Sequence, residues 1–258
     1  MIKAIFLDFD WTLYSHNLHC IPQSTVQALK KAHDKGIKIG LATGRSMSET
    51  RLVSQYKEIP FDCFVTMNGG ICLDSEEKIF AGIPFNGRSL KALVELFSEK
   101  EIPIVFATEN STYINLKNQR VIDAHKGITY IDHTLSEYQP DKEVYLAVFF
   151  VGENEEQEIL DRVPDVDIKR WGLLGIDIVP KGTDKSKGIA MYLEKNGIAP
   201  SECMVVGDSF NDLGMFEFAG TSVAMGNAEQ CLKDIATYIT DTIDNDGVAK
   251  ALTHYGII

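Results

Sequence analysis

Leu7-Asp8-Phe9-Asp10-Trp11-Thr12-Leu13 follows directly on the apolar run Ala4-Ile5-Phe6-Leu7. A continuous apolar run of this length suits a parallel strand buried on both faces. Ligands of an open parallel sheet bind outside the carboxyl ends of its strands, and Asp8 stands at that position. Its carboxylate can act as a nucleophile toward phosphorus, while Asp10, two residues on, works as acid and then base. Two neighbouring anions need compensation, which a bound Mg2+ supplies. An acidic turn after a strand is the plainer reading of the same residues.

The arrangement recurs on both sides of the chain. Pro22 to Lys35 reads as a helix with Val26, Leu29 and Ala32 as its apolar stripe and Gly36 as its C-terminal cap. Ile37 to Ala42 reads as a second strand, Ser46 to Tyr56 as a helix and Phe64 to Met67 as a third strand. This β-α-β-α-β order predicts a doubly wound α/β domain. Near the C-terminus it returns. Lys185 to Lys195, Asp212 to Ala219, Ala228 to Ala236 and Gly247 to Tyr255 read as helices, with strands at Met204 to Val206 and Ser222 to Met225.

The middle differs. Ile104–Ala107, Val144–Val151, Asp167–Arg170 and Gly175–Val179 read as strands, mixed with helices at Ser89–Glu99 and Glu155–Arg162. Gly82-Ile83-Pro84 and Pro180-Lys181-Gly182 punctuate the two crossings. The expectation is a core made of 1–82 and 184–258, with an α+β insertion at 83–183 on a two-strand hinge.

Two further strand ends carry polar residues. Thr43-Gly44-Arg45 follows the second strand: Thr43 offers a hydroxyl, and Gly44 lets backbone N–H groups approach an anion. A Thr-Gly turn is also common without a ligand. Gly207-Asp208-Ser209-Phe210-Asn211-Asp212 follows Met204–Val206 and brings hard oxygen ligands suited to Mg2+. The alternative there is a helix start capped by Asn211 or Asp212.

Composition sharpens the question. The chain has 258 residues, 45% of them hydrophobic and 24% charged, as in an ordinary globular protein. The net charge of -12 disfavours nucleic acid and anionic membrane as partners. An acidic chain that handles phosphate needs local positive charge. Lys181, Lys185 and Lys187 cluster at one helix start, and Lys185 lies four residues before Ile189 on the face marked by Ile189 and Leu193. Lys185 is therefore the candidate to reach the site. The five cysteines have no CxxC spacing and read as free thiols. No apolar run reaches about 18 residues, and the N-terminus reads as a core strand rather than a signal peptide. A cytoplasmic protein is expected, as a monomer or small homo-oligomer.

The order DxDxT, Thr-Gly-Arg, Lys, GDxxND resembles the haloacid dehalogenase superfamily of phosphohydrolases. The insertion resembles the type IIB cap of its Cof-like sugar-phosphate phosphatases. The likeness extends over essentially the whole chain, including Met225-Gly226-Asn227-Ala228 and Asp246-Gly247-Val248. It implies an enzyme that hydrolyses a small phosphorylated metabolite. Asp8 would be phosphorylated and bind Mg2+. Asp10 would be the acid and base, its backbone carbonyl a metal ligand. Thr12, Thr43, Gly44 and Arg45 would serve the phosphate. Lys185 would neutralise Asp8 and the phosphoryl group, Asp208 would ligate Mg2+, Asp212 would orient the metal shell, and Asn211 would contact phosphate or hold Lys185. Trp11 departs from the family's usual glycine and is expected to pack against the cap or an adjacent loop. Asn68-Gly69-Gly70 resembles a loop near the family's site. The six histidines form no metal pattern and are expected at the surface or in the core. Phe149, Phe150 and Trp171 are expected in the core.

Two other functions fit the same scaffold. A phosphomutase would return the phosphoryl group from Asp8 to its substrate. A regulator would only bind phosphate, although it need not keep an acid/base carboxylate beside a nucleophile. A dinucleotide-binding dehydrogenase is set aside, since no GxGxxG follows Ala4–Leu7.

Overall fold

A computed structural model describes residues 1–126 and 131–258. Its first sheet begins with β1 (Ala4–Leu7), every residue of which is buried. Helix α1 (Gln23–Asp34) buries Val26, Leu29 and Ala32 together with Thr25 and Ala28. β2 (Lys38–Ala42) follows. The stretch expected as one helix from Ser46 to Tyr56 is instead a short α2 (Met47–Thr50) and a separate 3-10 turn over Ser54–Glu58. Met47 and Thr50 are buried, but Arg51 and Leu52 are exposed. The apolar stripe thus lapses for a turn, and no face remains to hold a continuous helix.

β3 (Cys63–Thr66) is followed by a hairpin that the sequence did not announce, β4 (Ile71–Asp74) and β5 (Ile79–Gly82). Then come α3 (Gly87–Glu99), β6 (Ile104–Ala107), β7 (Thr112–Ile114), α4 (Gln119–Ala124), β8 (Thr134–Leu135), β9 (Leu146–Phe149), α5 (Glu156–Arg162), β10 (Val166–Gly172) and β11 (Gly175–Pro180). The chain closes with α6 (Lys185–Lys195), β12 (Cys203–Gly207), α7 (Leu213–Phe218), β13 (Thr221–Ala224), α8 (Gln230–Ile235), β14 (Tyr238–Ile239) and α9 (Gly247–His254).

Two sheets result. One runs β14-β13-β12-β1-β2-β3-β4-β5 and the other β10-β11-β9-β6-β7-β8. In the first, every pairing from β14 to β3 is parallel, and only β4 and β5 run antiparallel at the edge. This is the mostly parallel doubly wound α/β architecture. In the second, the pairings are antiparallel except β7 with β8. Separate apolar clusters serve the two sheets. One gathers Phe6, Leu7, Val65, Ile189 and Val205; the other gathers Leu93, Phe97, Phe106, Phe149 and Ile178. No helix among the described residues is long and apolar enough to cross a membrane.

Candidate active site

β1 lies at the centre of the parallel sheet, between β12 and β2. Its register pairs Leu7 with Val206 and with Leu41, so the three strands end within one residue of one another. Asp8, Thr43 and Asp208 therefore leave the sheet side by side. Asn68 follows β3 in the left-handed region, at φ 53°. Gly69 stands beside it at φ +94°, where a Cβ would come within 2.2 Å of the Asp184 carbonyl oxygen. Only glycine lets this loop pass the start of α6.

Asp184 caps α6 by accepting from the Ser186 N–H at 2.9 Å. The cap sets Lys185 on the first turn, where its side chain is wholly buried. Lys185 Nζ donates to Asp8 Oδ1 at 2.5 Å and to Asp212 Oδ1 at 2.6 Å. The other Asp212 oxygen accepts from the backbone N–H groups of Asp208 and Ser209, at 2.9 and 3.0 Å. Asp208 Oδ1 accepts from the Thr12 hydroxyl at 2.7 Å.

Asp8, Asp208 and Asp212 bring carboxylate oxygens within 4.8 Å of one another. A single ammonium cannot neutralise three such groups. Burial pushes the Asp8 carboxyl up to about 7, even against the pull of Lys185. Burial, and then Asp8 and Asp212 beside it, push Asp208 well above the carboxylate range. Burial opposes charge on Lys185 as well, but Asp212 and Asp8 hold its ammonium above the ordinary lysine value. Closely grouped, under-compensated oxygen donors are the set a small divalent cation takes.

Asp10 is differently placed. Arg45 grips both its oxygens, Nε to Oδ2 at 2.8 Å and a terminal nitrogen to Oδ1 at 2.6 Å. His16 Nε2 lies 2.7 Å from the same Oδ1. Burial alone would raise Asp10, but Arg45 and then His16 hold it well below the usual carboxylate range. The guanidinium also stacks over Phe9, 4.7 Å from the ring centroid.

A cavity of about 220 Å3 opens above these groups. Asp8, Asp10, Thr43, Arg45 and Asp208 line its floor, and His133, Leu146, Phe150, Trp171 and Asp177 of the second sheet's segment line the opposite side.

A family model for haloacid dehalogenase-like hydrolases matches residues 5–252. The chain belongs to this family. It is 30% identical to the 5-amino-6-(5-phospho-D-ribitylamino)uracil phosphatase YcsE of Bacillus subtilis, covering 98% of this chain and 96% of that one. It superposes on a phosphatase of the superfamily from Bacteroides thetaiotaomicron with a TM-score of 0.90, at 31% identity, over 100% and 96% of the two chains. A subclass IIB sugar phosphatase gives 0.87 at 35% identity, over 99% and 100%. This haloacid dehalogenase-like hydrolase is an enzyme of the superfamily's phosphatase group, with the Cof-like fold.

Several side chains of the hydrolase point elsewhere than the sequence suggests. Thr12, expected at the phosphate, is wholly buried and donates to Asp208. Arg45, also expected there, has its guanidinium engaged by Asp10. Asn211 was a candidate to hold Lys185, but Asp8 and Asp212 hold it, and the Asn211 amide donates to Asn68 Oδ1 at 3.1 Å. Thr43 is buried at the cavity floor, its hydroxyl accepting from the Arg45 N–H at 3.1 Å. Lys185 is buried while Lys181 and Lys187 are exposed, as the helical spacing required.

Trp11 occupies the left-handed region at φ 58°, which explains glycine as the family's usual residue. Its ring lies 4.9 Å from that of His16, in the adjacent loop, and it lines the cavity. His16, His125 and His133, expected as surface or core residues, also line the cavity. So do Phe150 and Trp171. Asp177 and Glu49 went unremarked in the sequence. Asp177 is buried on β11 between Ile176 and Ile178, and Asn68 Nδ2 donates to its Oδ2 at 2.7 Å. A buried acid alternating with isoleucines was the available signal. Glu49 completes the capping box of α2 with Ser46.

Proposed function

We propose that this hydrolase removes phosphate from a small phosphorylated metabolite, a sugar phosphate foremost, through an aspartyl-phosphate on Asp8 with Mg2+ bound beside it. In this reading residues 1–82 and 184–258 form the catalytic core, and 83–183 form a cap that shapes the leaving-group side. The observation that carries it is the placement of Lys185 between Asp8 and Asp212, with Asp208 adjacent, at the carboxyl ends of the central strands. The phosphatase YcsE and the subclass IIB sugar phosphatase support a compact phosphomonoester as substrate.

Asp8 attacks phosphorus, forming a new O–P bond as the ester O–P bond breaks. Asp10 gives a proton to the departing oxygen. The resulting Asp10 carboxylate then takes a proton from water, whose oxygen attacks phosphorus and breaks the Asp8 O–P bond. Inorganic phosphate leaves, and Asp10 gives its proton up to solvent as Arg45 closes on it again. The Arg45 grip keeps Asp10 ionised at rest. An incoming phosphoryl group offers Arg45 a competing anion and frees Asp10 to take up a proton from solvent before it acts as the acid. Lys185 stays against Asp8 and offsets the charge of the phosphorylated side chain, and Thr43 binds phosphoryl oxygens. Asp8, the Asp10 carbonyl and Asp208 would hold Mg2+, with Asp212 orienting them, and the ion supplies positive charge where the phosphoryl oxygens gather.

The test is phosphate release from a panel of phosphorylated metabolites, with Mg2+ and with EDTA, run beside Asp8→Asn. Metal-dependent release that disappears in the variant is expected. Undiminished release in EDTA would remove the metal from the mechanism.

A further inference from the structure

We infer that the leaving group presents hydroxyl or ammonium donors to Asp177 and carries no second anionic group. This rests on the phosphatase reading and assigns the substrate side of the same cavity. Among the described residues that line the cavity, Arg45 is the one lysine or arginine, and Asp10 engages it through two hydrogen bonds. Nothing cationic remains there to receive a carboxylate or a second phosphate. The lining histidines do not fill the gap: His16 is engaged by Asp10 Oδ1 at 2.7 Å, and burial holds His125 and His133 below the ordinary histidine value, His133 at about 4.

The opposite character is built in. Asp177 is only 7% exposed, faces the cavity from the second sheet, and sits over Gly44, whose added Cβ would lie 3.3 Å from Oδ2. Asn68 holds that oxygen, and the Trp171 indole lies near enough to favour the charged carboxylate. A carboxylate offers about four acceptor sites, so room remains for donors from a bound molecule. Trp171 and Phe150 add aromatic faces, which hold the C–H face of a ring or a cation. The cavity, about 220 Å3, is smaller than the range of about 300–1,000 Å3 for drug-sized ligands, so one ring is the natural fit. An anion a few ångströms from Asp177 meets repulsion worth more than about tenfold in affinity at intermediate dielectric.

The test compares kcat/KM of the Mg2+-loaded enzyme at about pH 8, where Asp177 is ionised, on glucosamine 6-phosphate, glucose 6-phosphate and 6-phosphogluconate, whose leaving groups are partly cationic, neutral and anionic. The first two are expected to exceed the third by about tenfold or more. Asp177→Asn should narrow that spread several-fold, mainly through KM. Equal or better turnover of 6-phosphogluconate by the wild type overturns the assignment, whether or not the variant folds. A spread unchanged in folded Asp177→Asn removes Asp177 from it. Calorimetric binding of the same compounds to Asp8→Asn reads the order without turnover. The expected order in binding with no release from wild type keeps Asp177 in its role and rejects the phosphatase reading. Release with no order in either assay does the reverse.

Discussion

Asp177, in the six-stranded sheet, accepts a hydrogen bond at 2.7 Å from Asn68, which stands at the end of β3 in the eight-stranded sheet. The bond crosses from one sheet to the other directly above Gly44. Burial pushes the Asp177 carboxyl up to about 7, the Asn68 bond opposing it.

A raised carboxyl contributes stability below its unfolded value of about 4. That contribution is lost as pH rises through about 7. Asp177→Asn removes the ionisation and keeps a carbonyl to accept from Asn68. Between pH 5 and 8, wild type should lose stability relative to the variant, by about 2–3 kcal/mol. Urea unfolding of both proteins at the two pH values, in EDTA, measures the difference. A gap that does not grow with pH would contradict the buried setting of Asp177.

Among the described residues, Lys185 is the sole ammonium between the buried Asp8 and Asp212 carboxylates, and its removal leaves both without a cationic partner. Breaking a buried pair from one side costs about 3–5 kcal/mol. Lys185→Met should therefore lower stability by that order in EDTA and by less with Mg2+, besides losing phosphate release. An equal loss in both buffers would show that no cation shares the carboxylates.

A cation that binds only the native state stabilises it by about 2.7 kcal/mol at a hundredfold excess over Kd. For a chain of this size that is a rise in Tm of several degrees. MgCl2 should produce it in wild type and not in Asp208→Asn. The thermal shift needs no substrate, so it reads the site apart from catalysis. A full shift in Asp208→Asn would move the ion elsewhere.

Gly188 lies one turn along α6 from Lys185. An added Cβ would come 2.4 Å from Val65 Cγ1 and 2.9 Å from Cys72 Sγ. Gly188→Ala should cost about 1–3 kcal/mol through overpacking, despite a better helix former. It should also lower kcat, because α6 must shift away from β3 and carry Lys185 with it. Unfolding and steady-state rates on the same preparation check both effects.

Asp8, Thr43 and Asp208 were legible because each stands directly after an apolar run, and strand ends face one way in a parallel sheet. Lys185 was legible because its spacing to Ile189 places both on one helix face. The parts that were not legible depend on contacts far apart in the chain. Asp177 meets Asn68 across 109 residues, and Asn211 meets Asn68 across 143. No local pattern carries such a pairing. Asp10 looks like a free carboxylate in sequence, but Arg45, 35 residues away, closes on it. The β4–β5 hairpin hid because Ile79–Gly82 shows no buried alternation, and β7, β8 and β14 are too short to leave a period. His16, His125 and His133 lie on separate segments that only the fold brings to one cavity.

The central claim is that Asp8 takes the phosphoryl group. Rapid acid quench during turnover, followed by peptide mass spectrometry, tests it most directly. The expected result is a phosphoryl adduct on the peptide that contains Asp8, with neither adduct nor phosphate release from folded Asp8→Asn. An adduct on another residue, or wild-type release from Asp8→Asn, would contradict it.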